Sequence, residues 1–462
     1  MINTKQKPIE ESLVRAFQKL NAKYSNSLYS YTEKINLTND PIAIFANIAP
    51  YKGTRFFWTT PDDRLCLIGA GAVECIKDEA DAYISIEKQW DALLQNGYVD
   101  NPYKLPGTGP LLLGGFSFNP NEVSREWRNF GKQRMVVPEF LLAIRGDEAY
   151  LTYTTKLEES SSMLTYVNKL DAFKNTLAKQ RPSFTQASII KKEAVLQDEW
   201  KETIRKATSL IRENTFSKVV LARELKVKFD REVSIPTVLL QLREQQKHSY
   251  LFAIESGDDC FLGATPERLV KVEANELLST CLAGTAPRGE TMAEDEEIGN
   301  QLLTDEKNRE EHAFVVRMIQ EAIEGCCDEV TVPDSPVLYQ LKNLQHLYTP
   351  VKGKLAPEYS ILDVVERLHP TPAMGGVPRE KALQFIQDEE ALKRGWYAAP
   401  IGWVDASGNG EFAVAIRSGL VKGKDASLFA GCGIVKDSDP EAEYAETEMK
   451  FKPMLHALGG ES

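Results

Sequence analysis

Short runs of apolar residues separated by glycine and proline dominate residues 41–156 of the chain. Runs of this length between turn-forming residues are typical of strands, so this region is predicted to be mainly antiparallel sheet. Residues 9–30 differ, because their apolar and charged positions recur at helical spacing, and they predict an amphipathic helix. The predicted strands cover the segments PIAIFANI, TRFFWTT, RLCLIGAGAV, PLLLGGFSF, FLLAIRG and AYLTYTT.

A polar, lysine-rich segment at 157–197 predicts a helix and a connection, and we place the main boundary of the chain near residue 190. The first region, 1–190, is predicted to be rich in strands and to pack on the second, 191–458. The second region mixes helices and strands, which favours an α+β fold over a doubly wound α/β fold. Helices are predicted over EWKETIRKATSLIREN, EKNREEHAFVVRMIQEAI and PREKALQFIQ and from DPEAEYAETEMK onward, and strands over SKVVLARELKVKF, YLFAIES, DCFLGATPERLVKV, GWYAAPIGWVD, GEFAVAIRSGLV and ASLFAGCGIV.

The composition of the 462-residue chain excludes several classes of protein. Its net charge is −12, and such an acidic surface repels the phosphate backbone of nucleic acids. No apolar run reaches about 18 residues and the N-terminus lacks an apolar signal-peptide core, so we expect no membrane span. The seven cysteines include no CxxC pair, which favours reduced thiols and a cytoplasmic protein over disulfides or a zinc site.

Two charged residues lie on predicted apolar faces. Lys218 is the first of three residues, with Val220 and Ala222, on one face of a predicted strand. Glu311 lies on the same apolar stripe of a predicted helix as Phe314. Burial lowers the pKa of a lysine and makes it a possible base, whereas a lysine at a strand end more often reaches solvent. A carboxylate on an apolar stripe is costly unless it is paired or bound to a metal, although a helix start also favours it.

The last predicted helix has an acidic face on which Glu443, Glu446 and Lys450 lie together. The alternative interpretation is a solvated ion-pair face. Two acidic helix faces without a histidine cluster favour a hard cation such as Mg²⁺, which prefers oxygen ligands. The strand before this helix contains Gly431 and Gly433, and a glycine-rich strand end leading into a helix start is suited to binding an anion.

Further positions carry chemistry suited to an anionic ligand. The loop LSTCLAGTAPRG at 278–289 is rich in glycine and threonine, and its backbone N–H groups would hold an anion near the inert methyl of Ala283. Arg417 has the planar fork that binds a carboxylate, although alone it is equally typical of a surface strand. His346 and His369 are, taken alone, compatible with structural roles.

Nine segments, in this order along the chain, resemble motifs of the chorismate-utilising enzymes. The resemblance covers about residues 195–455, and GGFSF at 114–118 extends it into the first region. It implies an α+β sandwich of large antiparallel sheets flanked by helices, the anthranilate synthase component I-like fold, with a magnesium-dependent site between them. The segments are FSKVVLAR, GATPERL, LAGTAPRG, EKNREEH, NLQHLYTP, HPTPAMGG, GWYAAPIGW, FAVAIRSG and GCGIVKDSDPEAEYAETEMK.

The resemblance implies roles for the matching residues, with 191–458 as the catalytic domain. Lys218 would activate a water that attacks C2 of chorismate, and Glu267 would protonate the departing C4 hydroxyl. Taken alone, Glu267 is as well explained by a strand-end ion pair with Arg268. Mg²⁺ would be held by Glu311 and Glu446, with Glu443 bound directly or through water. The residues implied to bind the substrate are Ala283, Gly284, Thr285, His346, Arg417, Gly431, Gly433 and Lys450.

The identity of residue 283 separates the subfamilies. In aminodeoxychorismate synthases a lysine at this position is a covalent nucleophile, so with Ala283 no enzyme-bound adduct is expected. The segment HPTPAMGG resembles that of isochorismate synthases, whereas anthranilate and salicylate synthases usually differ there. The length of the first region is closer to the menaquinone-pathway form than to the siderophore form.

The resemblance therefore implies a Mg²⁺-dependent isochorismate synthase, an isomerase acting on chorismate. The alternatives are an anthranilate synthase, which would need ammonia from a glutaminase partner, a salicylate synthase, and a non-catalytic chorismate-binding regulator. The intact set of base, acid and metal ligands argues against the regulator. We expect no obligatory glutaminase partner and a monomer or weak dimer. Pro453 is expected to kink or end the last helix just beyond Lys450.

Overall fold

The computed structural model describes residues 8–20, 26–77, 82–122, 124–159, 161–179, 185–340 and 344–460. These residues form eleven α-helices, none of which combines the length and the apolar composition needed to cross a membrane. The helices, numbered along the chain, are α1 (Pro8–Leu20), α2 (Pro41–Asn47), α3 (Ala82–Gln95), α4 (Met163–Leu177), α5 (Gln197–Arg212), α6 (Ile235–Gln245), α7 (Met292–Thr304), α8 (Glu306–Glu324), α9 (Ile361–Leu368), α10 (Arg379–Glu389) and α11 (Pro440–Ala457).

Within the same residues, thirteen strands form a larger sheet and ten form a smaller one. Across the larger sheet the order is β10 (Ile189–Ala194), β11 (Lys218–Phe229), β23 (Asp425–Ile434), β22 (Ser418–Lys422), β13 (Asp259–Thr265), β12 (Tyr250–Ser256), β2 (Phe56–Thr59), β3 (Cys66–Ala70), β8 (Phe140–Arg145), β9 (Glu148–Lys156), β1 (Leu28–Ile35) and β5 (Tyr98–Asp100), with β19 (Gly376–Val377) also beside β11. Across the smaller sheet it is β16 (Cys327–Thr331), β18 (Leu344–Leu355), β15 (Glu276–Pro287), β14 (Arg268–Glu273), β21 (Gly410–Val414), β20 (Pro400–Asp405), β6 (Leu111–Phe116), β7 (Gln133–Val137) and β4 (Glu74–Ile76), with β17 (Val337–Gln340) also beside β18.

The predicted α+β class with large antiparallel sheets is confirmed. Among the described strands, every pair is antiparallel except β1 with β5. Hydrogen-bonded pairs join the first and second regions in both sheets, since β2 pairs with β12 and β6 pairs with β20. The boundary near residue 190 stays a prediction; in the structure that position lies within β10.

Two hydrophobic cores result from the alternation of side chains along the strands of the larger sheet. Phe56 and Trp58 of β2 belong to the core that also contains residues of the smaller sheet. Phe57, between them, belongs to a second core formed with helices such as α6 and α11. Because successive side chains of a strand point to opposite faces, one apolar strand contributes to both cores. This explains why so many strands are apolar throughout.

Two predictions near the N-terminus are wrong. The segment PIAIFANI forms helix α2 instead of a strand, because Asp40 accepts a hydrogen bond from the amide of Ile42 and Pro41 is the first helical residue. A short apolar run does not by itself distinguish a buried helix from a strand. The helix predicted for residues 9–30 ends at Leu20, and strand β1 begins at Leu28.

The last helix is longer than expected. Helix α11 continues to Ala457 with Pro453 inside it. Phe451, Met454 and Ala457 are buried in the second core. Tertiary packing of this face therefore stabilises the helix despite the hydrogen bond that proline removes.

Candidate active site

Lys218 is the first residue of β11 and lies over the glycine-rich strand β23. A Cβ atom on Gly433 would lie 2.8 Å from Lys218 Cε and 3.6 Å from its Nζ, so glycine leaves the space that this side chain occupies. The register pairs Val220 with Gly433 and Ala222 with Gly431. Lys218 therefore lies next to a stretch of β23 in which two residues, Gly431 and Gly433, carry no side chain.

Glu267 lies in the two-residue connection between β13 and β14. Its carbonyl oxygen accepts a hydrogen bond from the amide of Val414 at 3.0 Å, which fixes the backbone there. Burial raises the pKa of Glu267 to about 7, while the charges of Arg417 and Lys218 lower it. The residue as a whole is half-buried. Near neutral pH this carboxyl group is able both to hold and to release a proton.

Arg268 does not pair with Glu267. Its Nε donates to the hydroxyl oxygen of Tyr250 at 2.6 Å and to Glu411 Oε1 at 2.9 Å. The Tyr250 hydroxyl in turn donates to Glu411 Oε1 at 2.7 Å. Because this buried network takes up Arg268, the Glu267 carboxyl group interacts with Arg417 and Lys218 instead.

Arg417 has a left-handed backbone, with φ of 51°, between β21 and β22. The amide of Ala264 donates to its carbonyl oxygen at 3.1 Å. Burial lowers the pKa of Arg417, whereas Tyr397, Glu267 and Glu446 raise it. One half-buried cation therefore interacts with acidic groups from the β13–β14 connection and from α11.

The predicted anion-binding loop is part of strand β15, which has a bulge at Gly284. The register shifts between Ala283 and Thr285, and Gly284 has the positive φ of 77° that favours glycine. Across the bulge, Thr285 Oγ1 and His346 Nδ1 are 2.9 Å apart. Burial lowers the pKa of His346, so the imidazole is neutral near pH 7.

Two polar side chains of α11 lie next to β23. Lys450 Nζ donates to the carbonyl oxygen of Gly431 at 2.8 Å and forms an ion pair with Glu446 Oε1 at 2.6 Å. The Glu446 side chain is 47% exposed, which leaves its carboxylate accessible to a ligand. Lys450 is thus held at the strand that contacts Lys218.

Glu443 has one oxygen with a partner and one without. Ser438 Oγ donates to Glu443 Oε1 at 2.6 Å, while the buried Oε2 has no nitrogen or oxygen donor among the described residues. Burial, then the charge of Glu443 and a side-chain hydrogen bond with Glu443, raise the pKa of the Cys432 thiol. A thiol is a weak donor, and a buried carboxylate oxygen without a stronger one is the kind of group that a cation satisfies.

The three predicted metal ligands do not form a ready-made metal cluster. Glu311 is exposed on α8, and the described residues contain no group of three or more His, Cys, Asp and Glu side chains arranged to hold a metal ion. Mg²⁺ usually takes one or two protein carboxylates and keeps several waters. The unpartnered oxygen of Glu443 and the accessible carboxylate of Glu446 fit that requirement, and a contribution from Glu311 stays a prediction.

Two residues at the site were not selected from the sequence. The Tyr397 hydroxyl would lie 3.3 Å from a Cβ atom on Gly431, and burial raises the pKa of this tyrosine. His312 Nδ1 lies 3.1 Å from the carbonyl oxygen of Ala283, and its Nε2 lies 2.7 Å from Thr349 Oγ1. Both residues lie inside segments that carried the family resemblance, which was the only signal for them.

His369 does not contact these residues. It is buried, and its Nε2 lies 3.4 Å from the carbonyl oxygen of Phe118. Burial lowers the pKa of His369 to about 3, so the ring is neutral. Its role in the described structure is structural.

The other predicted residues, apart from Glu311, are linked to one another by contacts or charge. Lys218, Arg417 and Lys450 supply positive charge in an otherwise acidic protein, which suits an anionic ligand. Glu267 supplies a titratable proton close to two of these cations. This arrangement is able to bind carboxylates and to transfer protons at a bound molecule.

Comparisons with known proteins identify one family. The family model for "Chorismate binding enzyme" matches residues 15–459. "Isochorismate synthase MenF" of Bacillus subtilis (strain 168) is 42% identical, and the alignment covers 100% of each chain. "Salicylate biosynthesis isochorismate synthase" of Pseudomonas aeruginosa is 36% identical, with 91% of this chain and 89% of that protein covered.

Solved structures share the fold. The menaquinone-specific isochorismate synthase MenF of Escherichia coli has a TM-score of 0.79 at 24% identity, with 97% of this chain and 100% of that chain covered. Anthranilate synthase component I of Streptococcus pneumoniae TIGR4 has a TM-score of 0.70 at 22% identity, with 85% and 92% covered. These likenesses confirm the predicted anthranilate synthase component I-like fold. The match of the family model to almost the whole chain shows that this protein belongs to the chorismate-binding enzymes.

Proposed function

We propose that this protein is an isochorismate synthase, an isomerase that converts chorismate reversibly to isochorismate. The observation that supports this most directly is the proximity of Lys218 and Glu267, because the reaction needs one base and one acid at the same ring. The 42% identity with a full-length isochorismate synthase agrees with it.

In the proposed reaction, Lys218 takes a proton from water as the water oxygen bonds to C2. Glu267 gives a proton to the C4 hydroxyl group, which leaves as water while the ring double bonds shift. One water enters and one leaves, so the reaction is balanced as an isomerisation. The pKa of Glu267 near 7 suits a group that must be protonated at neutral pH and then give up its proton. Each positioned acid or base contributes roughly 10²–10⁴-fold to the rate.

The cations of the site would hold the two carboxylates of chorismate. Arg417 offers the planar fork that binds a carboxylate with two hydrogen bonds. Lys450, held by the carbonyl of Gly431, supplies a second positive charge. Thr285 and the neutral His346, which interacts with the charge of Arg417, would supply polar contacts to the same ligand.

The proposed enzyme would bind Mg²⁺, with Glu443 and Glu446 as protein ligands and Glu311 as a third candidate ligand. When bound, the ion would neutralise the ring carboxylate that an acidic protein otherwise repels. The buried, unpartnered Oε2 of Glu443 is the observation that supports it.

The test is to incubate the purified protein with chorismate and Mg²⁺ without ammonia and to separate the products by chromatography. We expect isochorismate from the wild type and a rate lower by roughly 10²–10⁴-fold from Lys218→Met or Glu267→Gln proteins that are folded and still bind chorismate. Ammonia-dependent anthranilate would instead identify an anthranilate synthase, and salicylate with pyruvate a salicylate synthase. Binding without turnover would support the regulator.

The proposal extends to the pathway, the partners and the oligomeric state of the protein. The product would enter menaquinone biosynthesis in the cytoplasm, and a siderophore pathway is the alternative. Because the nucleophile of the proposed reaction is water and not ammonia, the enzyme would need no glutaminase partner. Light scattering of the purified protein tests the expected monomer or weak dimer.

A further inference from the structure

The outer edge of β11, the strand that carries Lys218, has a gap in its pairing. Strand β19 pairs with Lys218 and Val219, and β10 pairs with β11 from Leu225 onward. Among the described strands, none pairs with the outer edge between these two. Unpaired main-chain groups at a sheet edge need other partners.

An ion pair between Glu390 and Arg394 fills the middle of this gap. Arg394 Nη2 donates to the carbonyl oxygen of Val220 at 2.7 Å, and the amide of Ala222 donates to Glu390 Oε2 at 2.7 Å. The two side chains also bind each other, through Nε to Oε1 at 2.6 Å and Nη2 to Oε2 at 2.8 Å. They supply one donor and one acceptor to β11, as a residue of a neighbouring strand does.

The same pair is fixed to two other segments. Arg394 Nη1 donates to the carbonyl oxygen of Met374 at 3.0 Å, just before β19. The amide of Tyr397 donates to the carbonyl oxygen of Arg394 at 3.0 Å. Arg394 therefore connects β11 with the segment that carries Tyr397, whose hydroxyl lies against β23 at Gly431.

Two main-chain hydrogen bonds flank the ion pair along this edge, from the amide of Val220 to the carbonyl oxygen of Gly375 at 2.9 Å and from the amide of Val195 to the carbonyl oxygen of Glu224 at 3.1 Å. Glu390 lines two cavities, of about 170 Å³ and 360 Å³. Both members of the pair are nevertheless buried, at 5% and 4% exposure. Removing one member of a buried, fully hydrogen-bonded ion pair leaves the other charge buried and unpaired, so the loss of either side chain is costly.

We propose that Glu390 and Arg394 are positioning residues, which replace a missing strand and thereby hold Lys218 and Tyr397 at the correct distance from each other. This inference rests on the proposed isochorismate synthase activity only for its kinetic test. Neither side chain needs to touch the substrate. A displacement of Lys218 by about 1 Å is enough to lower the rate about 100-fold.

The chain contains a matched control for this pair. Arg55 and Glu255 form an ion pair with the same pattern, through Nε to Oε2 at 2.9 Å and Nη2 to Oε1 at 2.6 Å. Arg55 Nη1 donates to a carbonyl oxygen, and Glu255 Oε2 accepts from an amide, both at 2.8 Å. This pair is equally buried but lies at β2 and β12, without a contact to the candidate site.

The experiment compares Arg394→Lys and Glu390→Gln with Arg55→Lys and Glu255→Gln. We expect all four to melt at lower temperature, but only the first two to lower kcat, by about 10- to 100-fold, with KM for chorismate within about threefold. Glu390→Gln keeps an acceptor for the amide of Ala222, so it remains informative if Arg394→Lys does not fold. Equal kcat losses in both pairs, or none in the first, would overturn the positioning role.

A second measurement does not depend on turnover. Trace acetylation by acetic anhydride, followed by peptide mass spectrometry, gives the reactivity of Lys218. We expect this rate to change about threefold or more in Arg394→Lys and Glu390→Gln and to stay at the wild-type value in the control pair. An unchanged rate in the first pair would contradict the inference. A wild type that leaves chorismate intact would overturn the proposed activity, while the acetylation rates would still decide the positioning role.

Discussion

A Cβ atom on Gly433 would lie 2.8 Å from Cε of Lys218, so the lysine occupies the space that any larger residue at 433 would fill. Gly433→Ala is therefore expected to displace the flexible end of Lys218 and to leave the backbone in place. We expect kcat to fall about 10- to 100-fold, because the base moves relative to C2. Steady-state kinetics with chorismate measures this.

Gly419→Ala in β22 is the control for this substitution. A Cβ atom there would lie 2.6 Å from the Leu428 side chain, so the change perturbs apolar packing. It is expected to lower the melting temperature and to leave kcat within about twofold. A Gly433→Ala enzyme with wild-type kcat would show that the position of Lys218 does not matter.

Many strands of the fold were predicted from the sequence, but the long strands β15 and β18 were not, and α2 shows why such predictions fail. The apolar run PIAIFANI has no periodicity that separates a strand from a buried helix. The cap at Asp40 and the proline at 41 were the local signals for a helix. The pairing of β11 with β23 joins segments far apart in the chain, and no local pattern encodes it.

The residue types of the site were predictable, but their geometry was not. Motif similarity identified Lys218, Glu267 and Arg417, and the structure brings them within electrostatic reach. The unpartnered oxygen of Glu443 depends on how α11 packs, which no spacing along one helix reveals. The contact of Arg394 with β11 depends on a gap between two strands, so it too arises only from tertiary structure.

The raised pKa of Glu267 predicts how stability depends on pH. The folded protein keeps this proton to about pH 7, whereas an exposed glutamate loses it near 4.5. Between these values the native state binds more protons than the unfolded state, so the contribution of Glu267 to stability falls as pH rises. In Glu267→Gln this pH-dependent loss of stability is absent, because glutamine does not titrate. Relative to wild type, the free energy of unfolding of the mutant is therefore expected to increase from about pH 4.5 to 7. Above about pH 7 the difference in the free energy of unfolding between the two proteins is expected to stay constant.

Denaturant unfolding of both proteins across this pH range tests the prediction, and parallel stability curves would contradict it. The kinetic counterpart is that the wild-type kcat/KM falls above about pH 7, as the acid of the free enzyme loses its proton. Glu267→Gln is expected to lower kcat by roughly 10²–10⁴-fold and to abolish this limb of the profile. Binding of chorismate, measured by calorimetry, shows whether the mutant site is intact.

The free oxygen of Glu443 predicts a specific loss of Mg²⁺ binding. In the wild type, Mg²⁺ is expected to raise the melting temperature, because a ligand that binds only the native state stabilises it. Glu443→Gln is expected to weaken this effect, with an affinity for Mg²⁺ at least about 10-fold lower. Glu441→Gln is the control on the same helix, since Glu441 pairs with Lys201. Equal Mg²⁺ responses in both variants would exclude Glu443 as a ligand.

The left-handed backbone of Arg417 allows its side chain and its backbone to be tested separately. Arg417→Lys keeps the charge but loses the planar fork, so KM for chorismate is expected to rise at least about 10-fold. Arg417→Gly and Arg417→Ala both remove the side chain and are expected to bind chorismate equally poorly. Glycine adopts φ of 51° without the cost of about 1 kcal/mol that alanine has, so the glycine variant should be the more stable of the two.

Melting curves and KM values for the three variants, measured together, separate these two effects. If the alanine variant were as stable as the glycine variant, the backbone at 417 would be free of strain. If lysine supported the wild-type KM, the site would need only a positive charge there. The combination we expect, poor binding in all three variants with the glycine variant the more stable of the two truncations, follows only when the strained backbone holds the guanidinium in a fixed orientation. That orientation is what brings the guanidinium within reach of Glu267 on one side and of Glu446 on the other.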